Sequence, residues 1–131
     1  MLKIGILGAG HLGKIHLRIA EASEHYELVG FYDPNPKTVT ALTSDYDYHV
    51  FDSAEALIQA SDVVDIVTPT LSHFEMASLA IHAKKHVFIE KPYLAEGPDR
   101  DYLRWLYTAM TRAKKQLFLI GFPDDDFLTI E

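Results

Sequence analysis

An α/β fold, a doubly wound parallel sheet of about six strands in a single domain, is what the sequence predicts, and three observations carry the prediction. Short apolar runs alternate with segments of helical period from the first residues onward, the pattern of stacked βαβ units. Gly8-Ala9-Gly10-His11-Leu12-Gly13 falls between the first run and the first helical segment. Val63 to Val67 reads as a continuous apolar run, as expected of a central strand covered on both faces.

Each element follows from local chemistry. Lys3 to Leu7 is the first strand, and His11 to about Glu24 the first helix, with Leu12, Ile15 and Ile19 on the face expected to meet the sheet. Tyr26 to Phe31 is the second strand, stopped by Asp33-Pro34-Asn35-Pro36 because proline removes a ladder donor and restricts its neighbour. Residues 37 to 44 form a short helix, and His49 to Phe51 a short third strand. Ser53 is placed to cap a helix running through Leu57 to about Ala60. After the apolar run, Ser72 to Lys84 repeats Met76, Ala77, Ala80 and Ile81 at helical spacing, and His86 to Ile89 is a buried strand. Residues 98 to 115 give a last helix with Leu103, Leu106, Tyr107 and Met110 inward, and Gln116 to Ile120 a sixth strand. The domain is expected to span residues 1–122, with 99–122 as its final helix-strand unit and 123–131 as an acidic tail containing Asp124-Asp125-Asp126.

Composition narrows the partners. The 131 residues are 48% hydrophobic and 24% charged, values that argue against disorder. Twelve basic against nineteen acidic side chains give a net charge of −7, a field that repels nucleic acid and anionic lipid, so neither is expected as a partner. An anionic ligand must then be held by local geometry. The chain has no cysteine, which excludes disulfides and thiolate chemistry and fits a cytoplasmic address. The seven histidines show no ligand spacing, so no metal site is expected. No signal peptide is visible, and no segment approaches the roughly 20 apolar residues of a membrane helix.

The G-x-G-x-x-G turn sits where its mechanism requires, directly after a strand and opening a helix. Gly8 permits the tight turn, Gly10 leaves room for a pyrophosphate to approach the backbone, and Gly13 lets the helix lie close to the strand. The helix start supplies unpaired N–H groups and about half a positive charge, which lets an acidic protein hold a diphosphate. Asp33 lies twenty residues beyond Gly13, at the end of the second strand, where an acid accepts hydrogen bonds from the adenine ribose hydroxyls. A 2′-phosphate would meet that negative charge, and Lys37 is the nearest cation, so NAD is favoured over NADP. The bland alternative for Asp33, a turn former before proline, is compatible with this role. These features make the sheet one of the Rossmann type. Thr68-Pro69-Thr70 and Glu90-Lys91-Pro92 end two later strands at the carboxyl edge where open α/β sheets bind ligands. Lys91 is the candidate acid/base there, since an amine beside a nicotinamide can polarise a hydroxyl or carbonyl.

Together, Gly8-Ala9-Gly10, Asp33, Val64-Asp65-Ile66-Val67-Thr68-Pro69, His73 and Glu90-Lys91-Pro92 resemble the N-terminal half of the Gfo/Idh/MocA oxidoreductase family over residues 2–95. The resemblance implies that the turn at 8–13, including Ala9, His11 and Leu12, and Asp33 hold the adenosine diphosphate half of the cofactor. It further implies that Thr68, Pro69, Thr70 and His73 line the nicotinamide half, that Glu90 and Pro92 belong to the cofactor site, and that Lys91 faces substrate. Family members move a hydride between the nicotinamide and a hydroxyl carbon of a sugar, polyol or related compound. They carry a second domain that supplies a catalytic histidine or aspartate and forms the oligomer interface. With no such domain in 131 residues, the resemblance implies cofactor binding without efficient turnover.

Residues 99–122 resemble instead the C-terminal motif of UvrD-like superfamily I helicases, with Arg112 matching an ATP-contacting arginine. No Walker A sequence is present, so an ATPase is not supported. A fused or truncated chain whose tail completes the sheet accounts for both resemblances. Two further alternatives are a non-enzymatic scaffold that pairs with a second copy as a homo-oligomer, and nucleic-acid binding through Arg112, Lys114 and Lys115. The latter charges read more simply as a solvated helix end.

Overall fold

A computed structural model of the chain describes residues 1–90 and 117–119. The strands are β1 (Leu2–Leu7), β2 (Tyr26–Tyr32), β3 (Val63–Ile66), β4 (His86–Ile89) and β5 (Leu117–Leu119), and the helices are α1 (His11–Glu21), α2 (Pro36–Asp45), α3 (Ala54–Ala60) and α4 (Thr70–His82). All strand pairs are parallel, in the order β2-β1-β3-β4-β5. Because β2 and β3 leave β1 on opposite sides, the chain reverses direction across the sheet at β1, and a crevice opens between the carboxyl ends of β1 and β3.

Strand alternation divides the core into two layers. Ile4, Ile6, Phe31 and Val63 point to one face and are covered by Leu17 and Ala20 of α1 and Leu42 of α2. Leu7, Val64, Ile66, Val87 and Ile89 point to the other, under Leu57 and Ile58 of α3 and Ala77, Ala80 and Ile81 of α4. Each fully buried Leu, Ile or Phe contributes about 1.5–3 kcal/mol relative to exposure. The helices begin on local signals. Asn35 accepts a hydrogen bond from the Lys37 amide at 3.0 Å with Pro36 at the first helical position of α2, and Ser53 accepts one from Ala56 at 3.1 Å at the start of α3.

Three expectations are corrected. The sheet has five strands among the described residues rather than about six, because His49 to Phe51 forms only an isolated parallel bridge, Phe31 to Val50, held by two backbone hydrogen bonds of 3.0 and 2.9 Å. Helix α1 ends at Glu21 and turns a different face inward. Gly13, Leu17 and Ala20 are buried, while Leu12, Ile15 and Ile19 are 48%, 41% and 65% exposed. The apolar run of the central strand is interrupted by Asp65, which is 3% exposed. The expected final strand is present as β5, paired with β4 through Val87 to Leu117 and Ile89 to Leu119. The helix expected over 98–115, Lys91, Pro92, Arg112, Lys114, Lys115 and the acidic tail lie outside the described residues.

Candidate functional site

The glycine turn is shaped by contacts that leave no room for side chains at two of its three glycines. Gly8 has φ +98°, and a Cβ there would lie 2.8 Å from the Thr68 nitrogen and the Val67 carbonyl. A Cβ at Gly13 would collide with the carbonyl oxygen of Gly8. Helix α1 is therefore seated directly on the turn that precedes it. At Gly10 a Cβ would meet nothing within 4 Å, so the outer side of the turn is an open cradle. Gly10 caps α1 without a side-chain hydrogen bond, and the first intrahelical bond of the turn runs from the Lys14 amide to the Gly10 carbonyl at 3.0 Å. The N–H groups of the first turn, at His11 and Leu12 among others, are left for an anion.

Asp33 is brought onto this turn. Its Oδ2 accepts a hydrogen bond from the Ala9 amide at 2.8 Å, and its Oδ1 accepts one from the Asn35 amide at 2.8 Å. The acid forms the local turn and reaches the glycine loop at once. Each oxygen keeps a further lone pair for a ribose hydroxyl. The Gly8 amide is bonded to the Tyr32 carbonyl at 2.9 Å, which ties the ends of β1 and β2 together.

The ends of β3 and β4 lie level with the turn, through the Val67 amide on the Leu7 carbonyl at 2.8 Å and the Glu90 amide on the Ile66 carbonyl at 3.0 Å. Pro69 is the N-cap of α4 and Thr70 its first residue. His73, 2% exposed, places Nε2 2.7 Å from the Thr68 carbonyl oxygen, so Nε2 carries the proton. Burial pushes the His73 pKa below its ordinary 6.5, against the opposing pulls of that carbonyl and of Glu90, and the ring is held neutral. The Thr68 hydroxyl is buried with no hydrogen-bond partner among the described residues. No group of three His, Asp or Glu side chains among the described residues is arranged to hold a metal.

One cluster had no counterpart in the sequence reading. His16 of α1 places Nδ1 2.7 Å from Asp65 Oδ2 and Nε2 3.2 Å from Glu90 Oε2. Its ring meets Phe88 edge-on at 6.3 Å between centroids. With a carboxylate at each nitrogen, the doubly protonated ring is the form that satisfies both contacts. The hydrogen bond to Asp65, followed by the charges of Asp65 and Glu90, raises the His16 pKa above 6.5 despite burial. Burial raises Asp65 above the usual carboxylate range although His16 pulls the other way. The available signal was Asp65 itself, since a carboxylate inside an apolar central strand demands a partner. The cluster lines a groove of about 320 Å³ between α1 and the sheet, together with Ile4, Ile19, Tyr26 and Phe88. Neither residues 8–13 nor Asp33 line that groove.

An open glycine cradle at a helix start, an acid bonded to it from the neighbouring strand, and a crevice at the reversal point of a parallel sheet define a dinucleotide-binding domain. The family model described as "Oxidoreductase family, NAD-binding Rossmann fold" matches residues 2–119, beyond the boundary near residue 95 expected from the sequence. The chain belongs to this family, Gfo/Idh/MocA, as its NAD-binding domain. It is 34% identical over 102 residues to the UDP-N-acetylglucosamine 3-dehydrogenase of Acidithiobacillus ferrooxidans, covering 78% of this chain and 32% of that protein. It is 33% identical over 123 residues to the inositol 2-dehydrogenase of Rhizobium meliloti, covering 92% and 36%. Apo scyllo-inositol dehydrogenase from Lactobacillus casei superposes on 91% of this chain and 36% of its own, with a TM-score of 0.73 and 31% identity. The chain thus spans about a third of the length of these relatives. No helix among the described residues is long and apolar enough to cross a membrane.

Proposed function

We propose that this chain binds NAD in preference to NADP. The amides that open α1 within the 8–13 turn, at His11 and Leu12 among others, take the diphosphate and Asp33 takes the adenine ribose, with Thr68, Pro69, Thr70 and His73 along the nicotinamide half. Lys91, next to Glu90, is the side chain that takes or returns the hydroxyl proton. The bound nicotinamide supplies the hydride acceptor or donor, and a sugar, polyol or related hydroxy compound is the substrate class, in line with the relatives' activities. The observation that carries this reading is the bond between the Ala9 amide and Asp33, which sets an acid beside a turn whose Gly10 side is open. These 131 residues, about a third of the length of the relatives, are the cofactor-binding part of that activity. A cytoplasmic address suits a cysteine-free NAD binder.

Calorimetric titration with NAD and with NADP tests the proposal. Saturable heat with NAD, and weaker binding of NADP, is the expected result; absence of heat with both removes it.

A second reading rests on the exposed apolar stripe of Leu12, Ile15 and Ile19 along α1. In it the chain pairs with another copy through this helix. Sedimentation velocity over a hundredfold concentration range decides, and a strict monomer throughout ends this reading.

A further inference from the structure

We propose that His16 is a positioning residue for the carboxyl end of β4: anchored by Asp65, its ring clamps Glu90 and so holds that residue at the edge of the cofactor site. The inference rests on the cofactor reading given above, and goes beyond it by assigning a role to a side chain which that reading does not use.

The geometry supports a clamp rather than a chance contact. Asp65 on β3 and Glu90 at the end of β4 project to the same face, and His16 bridges them at 2.7 and 3.2 Å. Phe88, the β4 residue in register with Asp65, meets the His16 ring edge-on. His16 stands one turn beyond the glycine turn, about 5 Å along the helix axis. Gly13 seats that same helix on Gly8, where an added Cβ would collide with the carbonyl oxygen. One rigid element therefore touches the diphosphate position at its first turn and the Glu90 carboxylate at its second. Among the described residues, Asp65 faces His16 from β3 and Glu90 from β4, Tyr26 of β2 lines the same groove, and the Glu90 charge reaches His73 of α4. Losing the His16 proton removes the donor to one carboxylate and leaves two acids across a neutral ring, so the clamp is expected to loosen as pH rises.

The test uses the full 131-residue chain and its His16→Gln variant. In proton-nitrogen NMR spectra the Glu90 amide of the wild type should titrate with the His16 ring, and that inflection should vanish in H16Q. NAD affinity should fall roughly tenfold in H16Q, the equivalent of one charge-assisted hydrogen bond. ADP-ribose, which lacks the nicotinamide, should bind both proteins alike. Wild-type NAD affinity should fall as pH rises through the His16 midpoint, and the variant should show no such step. Equal losses for NAD and ADP-ribose would mean that His16 only supports the helix, and would overturn the proposal. A Glu90 amide that does not titrate with His16 would overturn it as well. If the wild type binds neither ligand, the cofactor reading fails while co-titration still decides the clamp. Should H16Q fail to fold, Glu90→Gln provides the second variant, in which the His16 midpoint must move down toward 6.5 if the clamp exists.

Discussion

At Gly13 an added methyl group would strike the Gly8 carbonyl, whereas at Gly10 it would project into open space. Gly13→Ala is therefore expected to cost about 1–3 kcal/mol of stability, the range for overpacking, and to weaken NAD binding by lifting α1 off its turn. Gly10→Ala should leave stability within about 0.5 kcal/mol, as at an unencumbered surface position, yet still weaken NAD because the methyl group occupies the cradle. Urea denaturation and calorimetry on the two variants distinguish these outcomes, and equal effects on stability would contradict the geometry. Asp33→Ala acts twice. It removes the proposed ribose acceptor and leaves the amide of fully buried Ala9 without its partner, at about 1–3 kcal/mol. The glycine turn and Asp33 were legible in the sequence because their function depends on spacing along the chain. His16, Asp65 and Glu90 were not, since His16 and Asp65 are separated by 49 positions and meet only once two strands and a helix have taken their register.

Helix α1 shows how one close contact outweighs an apolar stripe. Counting apolar residues at helical spacing favours Leu12, Ile15 and Ile19. The requirement that Gly13 sit against Gly8 fixes the rotation of the helix, and Leu17 and Ala20 follow inward at four and seven residues further on. The same rotation brings His16 over the sheet. A pH dependence of stability follows, with two histidines acting in opposite senses. His16 has a raised folded pKa, so its contribution is complete below 6.5 and is lost as pH rises through the elevated value. His73 has a lowered one, so its contribution is present above 6.5 and is lost as pH falls through the depressed value. Melting temperature against pH should fall on both sides of an intermediate maximum. His16→Gln should remove the alkaline decline and His73→Gln the acid one, and wild-type stability that stays flat from pH 5 to 9 would refute both assignments.

For the whole molecule, the parallel α/β architecture was legible from the alternation of strands and helices, while the strand count was not. Three residues at His49 to Phe51, on the outer side of β2, make two backbone bonds to Phe31, enough for a bridge but not for a strand. The fold itself reports on occupancy. Saturating NAD at about 100 times its dissociation constant should stabilise the chain by roughly 2.7 kcal/mol, which raises the melting temperature by roughly 10 °C for a domain of this size. An unchanged melting curve at millimolar NAD would set the domain apart from a functioning cofactor binder. The bond from Ala9 to Asp33 also bears on how such a domain can change over evolutionary time. Exchanging the acid to admit a phosphorylated ribose would at the same stroke unfasten the loop that grips the diphosphate. Lineages that switch coenzyme by this route must first acquire another acceptor for that amide, so the order of mutations is constrained as well as their identity.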